Sequence, residues 1–261
     1  MLLEMKSKVE GCRALIAKLT LSESLIKVYQ TQENKAEDIV HHQGLMNLLT
    51  PVVKAYVSDQ AWRICELAMQ TCGGQGYLKT LGIEQYARDV KVLAIWEGTN
   101  FIQSQDLIRD KLGLGNHGKL FKIYQLEVQK FLDKASDYPQ FSADFAQLNS
   151  SLGHFKTALG EVNSWVKNKK MYKIPAYSTR ILHMMGDLTI SWLLLEAACT
   201  ASDAISQHQG DAAYLHGKVA SAQFFIRNEL SKSQFTLDVI LNEDSYTELD
   251  SNHWLDLAKE G

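Results

Sequence analysis

Glu97 is the residue of this sequence best placed to do chemistry, because it is a carboxylate that directly follows large apolar side chains. It stands in the run IWEGTN, residues 95–100. Apolar neighbours that exclude water raise the proton affinity of a carboxylate, which suits it to removing a proton from carbon next to a carbonyl group. The residues alone leave an alternative open, in which the acid only interacts with the dipole of a helix over 100–112.

Three glycines in four residues form the second notable feature. Gly73, Gly74 and Gly76 follow a helical pattern whose last turn carries Gln70. One glycine is enough to cap a helix in the left-handed conformation, and this alternative also stays open. Three glycines suggest, in addition, a backbone that a ligand must approach closely.

The segment 113–119, GLGNHGK, matches both the GxGxxG and the GxxxxGK phosphate-binding patterns. Both patterns require a strand before the loop, whereas a helical pattern precedes this one. Leu120 also stands where a magnesium-binding Ser or Thr is needed. The sequence therefore argues against a nucleotide-binding loop here.

A metal site is not expected either. The neighbours His41 and His42 do not face one site on a helix, and no acid or cysteine stands near them at ligand spacing. The cysteines lack CxxC spacing and are predicted to be free thiols, as in a cytoplasmic protein. They are Cys12, Cys65, Cys72 and Cys199.

The composition is that of a globular protein, with 46% hydrophobic and 22% charged residues in 261. The net charge of -3 and the lack of basic runs give no reason to expect nucleic acid as a partner. No apolar run reaches the roughly 18 residues of a membrane span. The N-terminus alternates charged and apolar residues, which is unlike a signal peptide.

Apolar residues recur at helical spacing along most of the chain, and the run 92–95 is the one ambiguous segment. We therefore predict an all-α fold: an up-down helical bundle over residues 1–112, followed by a second helical bundle over 113–241. The glycine-rich segment 112–119 marks the expected boundary. Residues 242–261 are predicted to form a polar tail.

The order of several motifs resembles the C-terminal helical domain of the flavin-dependent acyl-CoA dehydrogenases over roughly the first 112 residues. The motifs are Gln70-x-x-Gly73-Gly74-x-Gly76-Tyr77, then Arg88-Asp89, then Ile95-Trp96-Glu97-Gly98-Thr99-Asn100 with Gln103. Taken alone, Arg88-Asp89 reads as a structural ion pair. By position and helicity, the later helices resemble the extension of an acetyl-CoA dehydrogenase-like branch.

The resemblance implies a reaction and a set of roles. Glu97 would be the base that takes the α-proton of an acyl-CoA thioester, while the β-hydrogen leaves as hydride to FAD and a trans-2-enoyl-CoA forms. Gln70, Gly73 and Gly74 would approach the FAD of a partner subunit, and Thr99 the FAD of its own. The family further implies a homodimer or tetramer and an electron-transfer flavoprotein or similar acceptor.

Two departures from the family limit these implications. Phe101 stands where the family often has a glutamine, so an adenine-side hydrogen bond is in doubt. The family's N-terminal helical domain and middle β-domain have no counterpart in this sequence. The alternative is therefore a catalytically inactive helical oligomerisation or structural fragment.

Overall fold

The computed structural model describes residues 1–113 and 118–242, and this part of the chain is helical with no strand. The all-α prediction is confirmed. The helices are α1 (Leu2–Tyr29), α2 (Ala36–Thr71), α3 (Ile83–Lys91), α4 (Asn100–Asp106), α5 (Lys119–Leu132), α6 (Ser142–Lys167), α7 (Lys173–Ser206), α8 (Ala212–Asn228) and α9 (Ser233–Leu241). A π-helical turn, Leu107–Lys111, continues α4.

The two long N-terminal helices pack along each other, because the connection between them is short. Pro51 lies inside α2, which continues through it. The ambiguous run after α3 forms a 3₁₀ turn, Val92–Ala94, rather than a strand. The chain therefore passes from α2 to α4 through 3₁₀ turns and the short helix α3, with no strand.

Helix α7 is the centre of the structure. It contacts α1, α2, α4, α6 and α8, and most of its apolar residues are buried. A helix that is apolar on all sides is typical of a core helix. Among the helices described, α7 alone has the length and hydropathy of a membrane span, and 61% of that stretch is buried inside the protein. Its apolar surface is therefore used mainly in packing against other helices.

One hydrophobic cluster runs through both predicted bundles. Leu15 and Leu48 belong to the same cluster as Phe155 and Leu195, which lie beyond the expected boundary. The division near residue 112 stays a prediction. The centre of the 113–119 segment and the polar tail after Asn242 lie outside the described residues.

Helix α9 was not predicted, because the apolar pattern weakens after Leu230. Only two of its apolar side chains, Leu237 and Ile240, are buried, while Phe235 is 68% exposed. These two residues contact the cluster formed by the longer helices. Two buried positions give too short a pattern for recognition from sequence.

The contact between α2 and α7 is very close at one point. Gly186 on α7 faces the ring of Tyr56 on α2, and a Cβ at this glycine would lie 2.1 Å from Cδ2 of the tyrosine. Beside it, the Tyr56 hydroxyl donates a hydrogen bond to the carboxylate of Asp187. Burial raises the pKa of Asp187 to about 6. At this point the two helices are therefore joined by a steric fit and a polar bond side by side.

We predict that Gly186→Ala destabilises the protein by about 1–3 kcal/mol or more, because the buried Tyr56 ring has no space to move away. Gly153→Ala is the matched control, since a Cβ there meets nothing within 4 Å in the middle of α6. The control should gain about 0.5–1 kcal/mol from helix propensity. Urea unfolding measures both, and equal effects would contradict the close contact.

The raised pKa of Asp187 predicts a pH effect. The native state holds this proton more tightly than the unfolded chain, so the stability that it contributes is present below about pH 4 and is lost as the pH rises through about 6. Asp187→Asn removes the titration. The free energy of unfolding of the variant, minus that of the parent, should rise by up to about 3 kcal/mol between pH 4 and 7. A pH-independent difference in chemical denaturation would contradict this.

Candidate active site

The glycine segment begins where α2 ends. Gly73 has φ of +58°, which ends the helix in a left-handed conformation, so it serves as the cap. A Cβ on either Gly73 or Gly74 would meet no atom of this chain within 4 Å. Gln70, in the last turn of α2, is exposed beside them. Gly73 and Gly74 form an open corner of the surface without side chains, the glycine corner, and the side chain of Gln70 lies next to it.

Gly76 has a different role from its neighbours. A Cβ at this position would lie 2.3 Å from the carbonyl oxygen of Met69, so only glycine fits against the end of α2. The packing of this chain thus explains one of the three glycines and the cap explains another. Gly74 is left without a structural reason inside the chain, since its φ is not positive and its surroundings are open.

Glu97 lies in the turn between the 3₁₀ segment and α4, and its side chain is exposed. Its φ is +52°, which is uncommon for a residue with a side chain, and Gly98 follows with φ of +79°. Thr99 is the N-cap of α4, and its hydroxyl accepts a hydrogen bond from the backbone N–H of Ile102 at 3.3 Å. The cap of α4 is therefore Thr99, and Glu97 stands two residues before it.

A shallow, mainly apolar groove of about 350 Å³ adjoins the Glu97 side chain. Its walls come from one face of α2 and from the turn that carries the glutamate. The lining residues are Val53, Lys54, Val57, Ser58, Ala61, Leu93, Trp96 and Glu97. A groove of this kind can hold an apolar group within reach of a carboxylate.

The apolar wall expected around Glu97 is open in this chain. Trp96 lines the groove but is 55% exposed, and Ile95 is 59% exposed and does not line it. The chain by itself therefore leaves the carboxylate in contact with water. Desolvation of Glu97 requires a further surface over the groove.

The turn that carries Glu97 is attached to α2 by polar contacts. The Lys54 ammonium donates to the carbonyl of Gly98 at 2.6 Å and to Oδ1 of Asn100 at 2.9 Å. Partial burial lowers the pKa of Lys54. Asn100 is buried, and its Nδ2 donates to Oδ1 of Asp59 at 2.7 Å.

Asp59 extends this attachment to α7. Its Oδ2 accepts a hydrogen bond from Nε2 of His183 at 3.0 Å. Burial alone would raise the pKa of Asp59, but the hydrogen bond and charge of His183 and the amide of Asn100 hold it below its usual value. A continuous polar path thus joins Glu97's turn, α2 and α7.

The structure separates the predicted site residues into two groups. Glu97 and Thr99 lie beside the middle of α2, whereas Gln70, Gly73 and Gly74 lie at its end. From Val57 in the groove to Gln70 is three to four helical turns, roughly 20 Å. Glu97 and the glycine corner therefore do not form one compact site within this chain.

The expected pairing of Arg88 with Asp89 is wrong. Arg88 pairs with Glu84, one turn earlier on α3, at 2.6 Å. Adjacent residues on a helix do not face each other, whereas residues four apart do. Among the residues described, no group of three or more potential metal ligands is present.

Sequence reasoning missed Lys54, Asp59 and His183. Lys54 and Asp59 lie five residues apart on α2, and a lysine and an aspartate at this spacing are common on surface helices. His183 is 124 residues from Asp59 in the chain, and no local pattern links the two. The contact between Asp59 and His183 can be recognised only when α7 is placed against α2.

Two family models match the chain. Residues 2–112 match the model described as acyl-CoA dehydrogenase, C-terminal domain, and residues 125–250 match acetyl-CoA dehydrogenase C-terminal like. No segment longer than a dozen or so residues falls outside the two ranges.

Curated proteins similar to this chain include a butyryl-CoA dehydrogenase of Syntrophomonas wolfei, 33% identical over 87% of this chain and 37% of its own length. The broad-specificity linear acyl-CoA dehydrogenase FadE5 of Mycobacterium tuberculosis is 31% identical over 94% of this chain and 40% of its own length. The chain thus spans about two fifths of the length of these relatives.

A solved structure shares the fold. It is that of Caenorhabditis elegans ACDH-11 in complex with C11-CoA, with a TM-score of 0.61 at 17% identity over 91% of this chain and 39% of that one. This likeness concerns the helical arrangement alone. Together with the family models and the curated relatives, it leads to one assignment: the chain belongs to the acyl-CoA dehydrogenase family and corresponds to its C-terminal part.

Proposed function

We propose that this chain is the C-terminal portion of a flavin-dependent acyl-CoA dehydrogenase and that Glu97 is its catalytic base. Glu97 removes the α-proton of an acyl-CoA thioester, the β-hydrogen leaves with its electron pair, and a double bond forms between the two carbons. The observation that carries the proposal is the placement of Glu97 on an open apolar groove, within the range that matches the acyl-CoA dehydrogenase C-terminal model.

The residues of this chain supply the proton transfer and its geometry. The thioester carbonyl makes the α-proton acidic enough for a carboxylate to take it, provided that water is excluded. The groove offers apolar walls to the acyl chain on one side. Lys54 holds the backbone of the turn at Gly98, while the exposed side chain of Glu97 lines the groove.

FAD is the cofactor that the proposal requires, and bound FAD would supply the hydride acceptor. The glycine corner fits such a group, because nothing in this chain occupies the space that a Cβ on Gly73 or Gly74 would enter. Gln70 offers an amide next to it. Thr99 uses its hydroxyl as an acceptor in capping α4, so its O–H remains able to donate outward.

The partners are part of the same proposal. Many large apolar side chains between residues 77 and 102 are exposed, including Tyr77, Leu81, Tyr86 and Phe101. Such a surface fits contact with a further subunit or with other parts of the enzyme. We propose a homodimer or tetramer that passes electrons to an electron-transfer flavoprotein or similar acceptor, in the cytoplasm.

Glu97→Gln tests the catalytic role. In the complete enzyme, kcat with an acyl-CoA and an artificial electron acceptor should fall by about 10²–10⁴, because the amide cannot accept the proton. Glu37→Gln, at the exposed start of α2, is the matched control and should leave kcat unchanged. Turnover by Glu97→Gln at the parent rate would contradict the assignment.

The isolated chain provides a comparison in the same assay. Because it leaves Glu97 open to water, the purified 261-residue chain should be inactive and without flavin absorbance, as a helical structural unit would be. A stoichiometric yellow flavin in this preparation would contradict that part of the proposal.

Gly74→Val tests the cofactor-binding corner. The side chain would enter open space at a position without positive φ, so the unfolding midpoint of the isolated chain should stay nearly unchanged. In the complete enzyme the same variant should lose most of its FAD, measured as flavin absorbance per subunit. Gly76→Ala is the contrasting variant, because it clashes with the Met69 backbone and should destabilise the isolated chain. Full flavin content in Gly74→Val would contradict the role of this corner.

A further inference from the structure

The turn that carries Glu97 needs to be held in place. A residue with a side chain at φ of +52° is less stable than one in the usual regions, at a cost of order 1 kcal/mol, and Gly98 after it adds freedom. Inside the turn, the side chain of Gln103 gives only a 3.4 Å contact to the carbonyl of Glu97. The shorter contacts to this turn come from Lys54 on α2.

Lys54 and Asn100 act together on the turn. The ammonium of Lys54 lies between the carbonyl of Gly98 and Oδ1 of Asn100, so it is positioned only if the amide of Asn100 presents its oxygen. The opposite orientation would direct Nδ2 at a cation. The direction of this one amide therefore determines whether Lys54 can hold Gly98.

Asp59 is the charged group among the acceptors that set the direction of the amide. Nδ2 of Asn100 lies 2.7 Å from Oδ1 of Asp59, 2.9 Å from Oγ of Ser58 and 3.1 Å from the carbonyl of Ala55. A carboxylate can only accept, so it requires the N–H side of the amide. Bonds to a charged acceptor are also the strongest of the three.

His183 holds Asp59 in position from the other side. Its Nε2 bonds the second oxygen of the carboxylate at 3.0 Å, and its ring packs against Tyr56 with centroids 5.3 Å apart. Tyr56 is itself fixed by Gly186 and Asp187 on the same helix as the histidine. The position of His183 is thus set by the closest contact between α2 and α7.

We infer that His183 is a positioning residue for Glu97, acting through Asp59, Asn100 and Lys54, an inference that rests on the proposed function. His183 lies in the segment 125–250, which matches the second family model and to which the sequence assigned no role. The later helices thereby help to set the geometry of the catalytic base, which lies 86 residues earlier in the chain.

The first test is structural and uses the 261-residue chain itself. In His183→Ala, the amide resonances of Gly98 and of the Asn100 side chain should shift in ¹H–¹⁵N spectra. His183→Gln, whose Nε2 can replace the imidazole donor, should restore them. His216→Ala, an exposed histidine on α8, is the control and should leave both resonances in place. Unshifted Gly98 and Asn100 resonances in His183→Ala would overturn the inference.

The second test measures turnover in the complete enzyme. We expect kcat of His183→Ala to fall on the order of tenfold or more with KM for acyl-CoA nearly unchanged, because a misplaced base slows the chemical step. His183→Gln should recover most of kcat. Parent-like kcat in His183→Ala, or equal losses in the alanine and glutamine variants, would overturn the inference.

A further variant covers the case in which His183→Ala does not fold. Asp59→Asn keeps the shape of the side chain but removes the charge that orients Asn100, and the same two resonances should shift. The experiments distinguish the catalytic role of Glu97 from the positioning role of His183. Unchanged turnover in Glu97→Gln removes the catalytic assignment, whereas unchanged resonances in the His183 and Asp59 variants remove the positioning role even if Glu97 is essential.

Discussion

The close approach of α2 and α7 at Tyr56 and Gly186 is the constraint on which the site depends. Without a Cβ on Gly186, the helices come near enough for Asp59 to reach His183. Helix axes in proteins are usually about 8–10 Å apart, and small residues allow the lower values. Lys54, also on α2, bonds the carbonyl of Gly98, so the position of α2 in the core sets where the turn that carries Glu97 is attached.

The polar path from Gly98 to His183 is stable because each member has a partner of the right kind. Partly buried charges and amides are costly when unpaired. Removing one partner of a bond costs more than the bond contributes, because the other partner is left unsatisfied. Here the cation Lys54 meets oxygens, the amide of Asn100 meets a cation on one side and an anion on the other, and Asp59 meets two donors. Such a chain of partners has one arrangement that satisfies all of them, which makes it suitable for fixing a strained turn.

The sequence predicted the helical fold and the position of the motif, but not how the motif is held. Apolar spacing is local, so α2, α6 and α7 follow from it, whereas α9 buries too few residues to show the pattern. Motif order pointed to Glu97 and the glycine corner.

The bond between Asp59 and His183 joins distant positions, and the reason for Gly76 is a backbone contact with Met69. Both depend on how helices meet, which one sequence does not encode in any short pattern. The water-excluding wall around Glu97 was expected from Ile95 and Trp96, and in this chain both are largely exposed.

The exposure of the groove beside Glu97 is consistent with the proposed proton transfer if another surface completes the groove. A carboxylate that is permanently buried without a partner would take up a proton and lose its use as a base, or would destabilise the fold. An exposed carboxylate on a fixed turn avoids this cost. Under the proposed function, water is excluded only when a substrate and a covering surface close the groove. The chain therefore has to fix the backbone of Glu97 rather than surround its side chain. Lys54 bonds the backbone of the turn at Gly98, and Asn100, Asp59 and His183 continue this path to α7. None of these bonds reaches the carboxylate of Glu97.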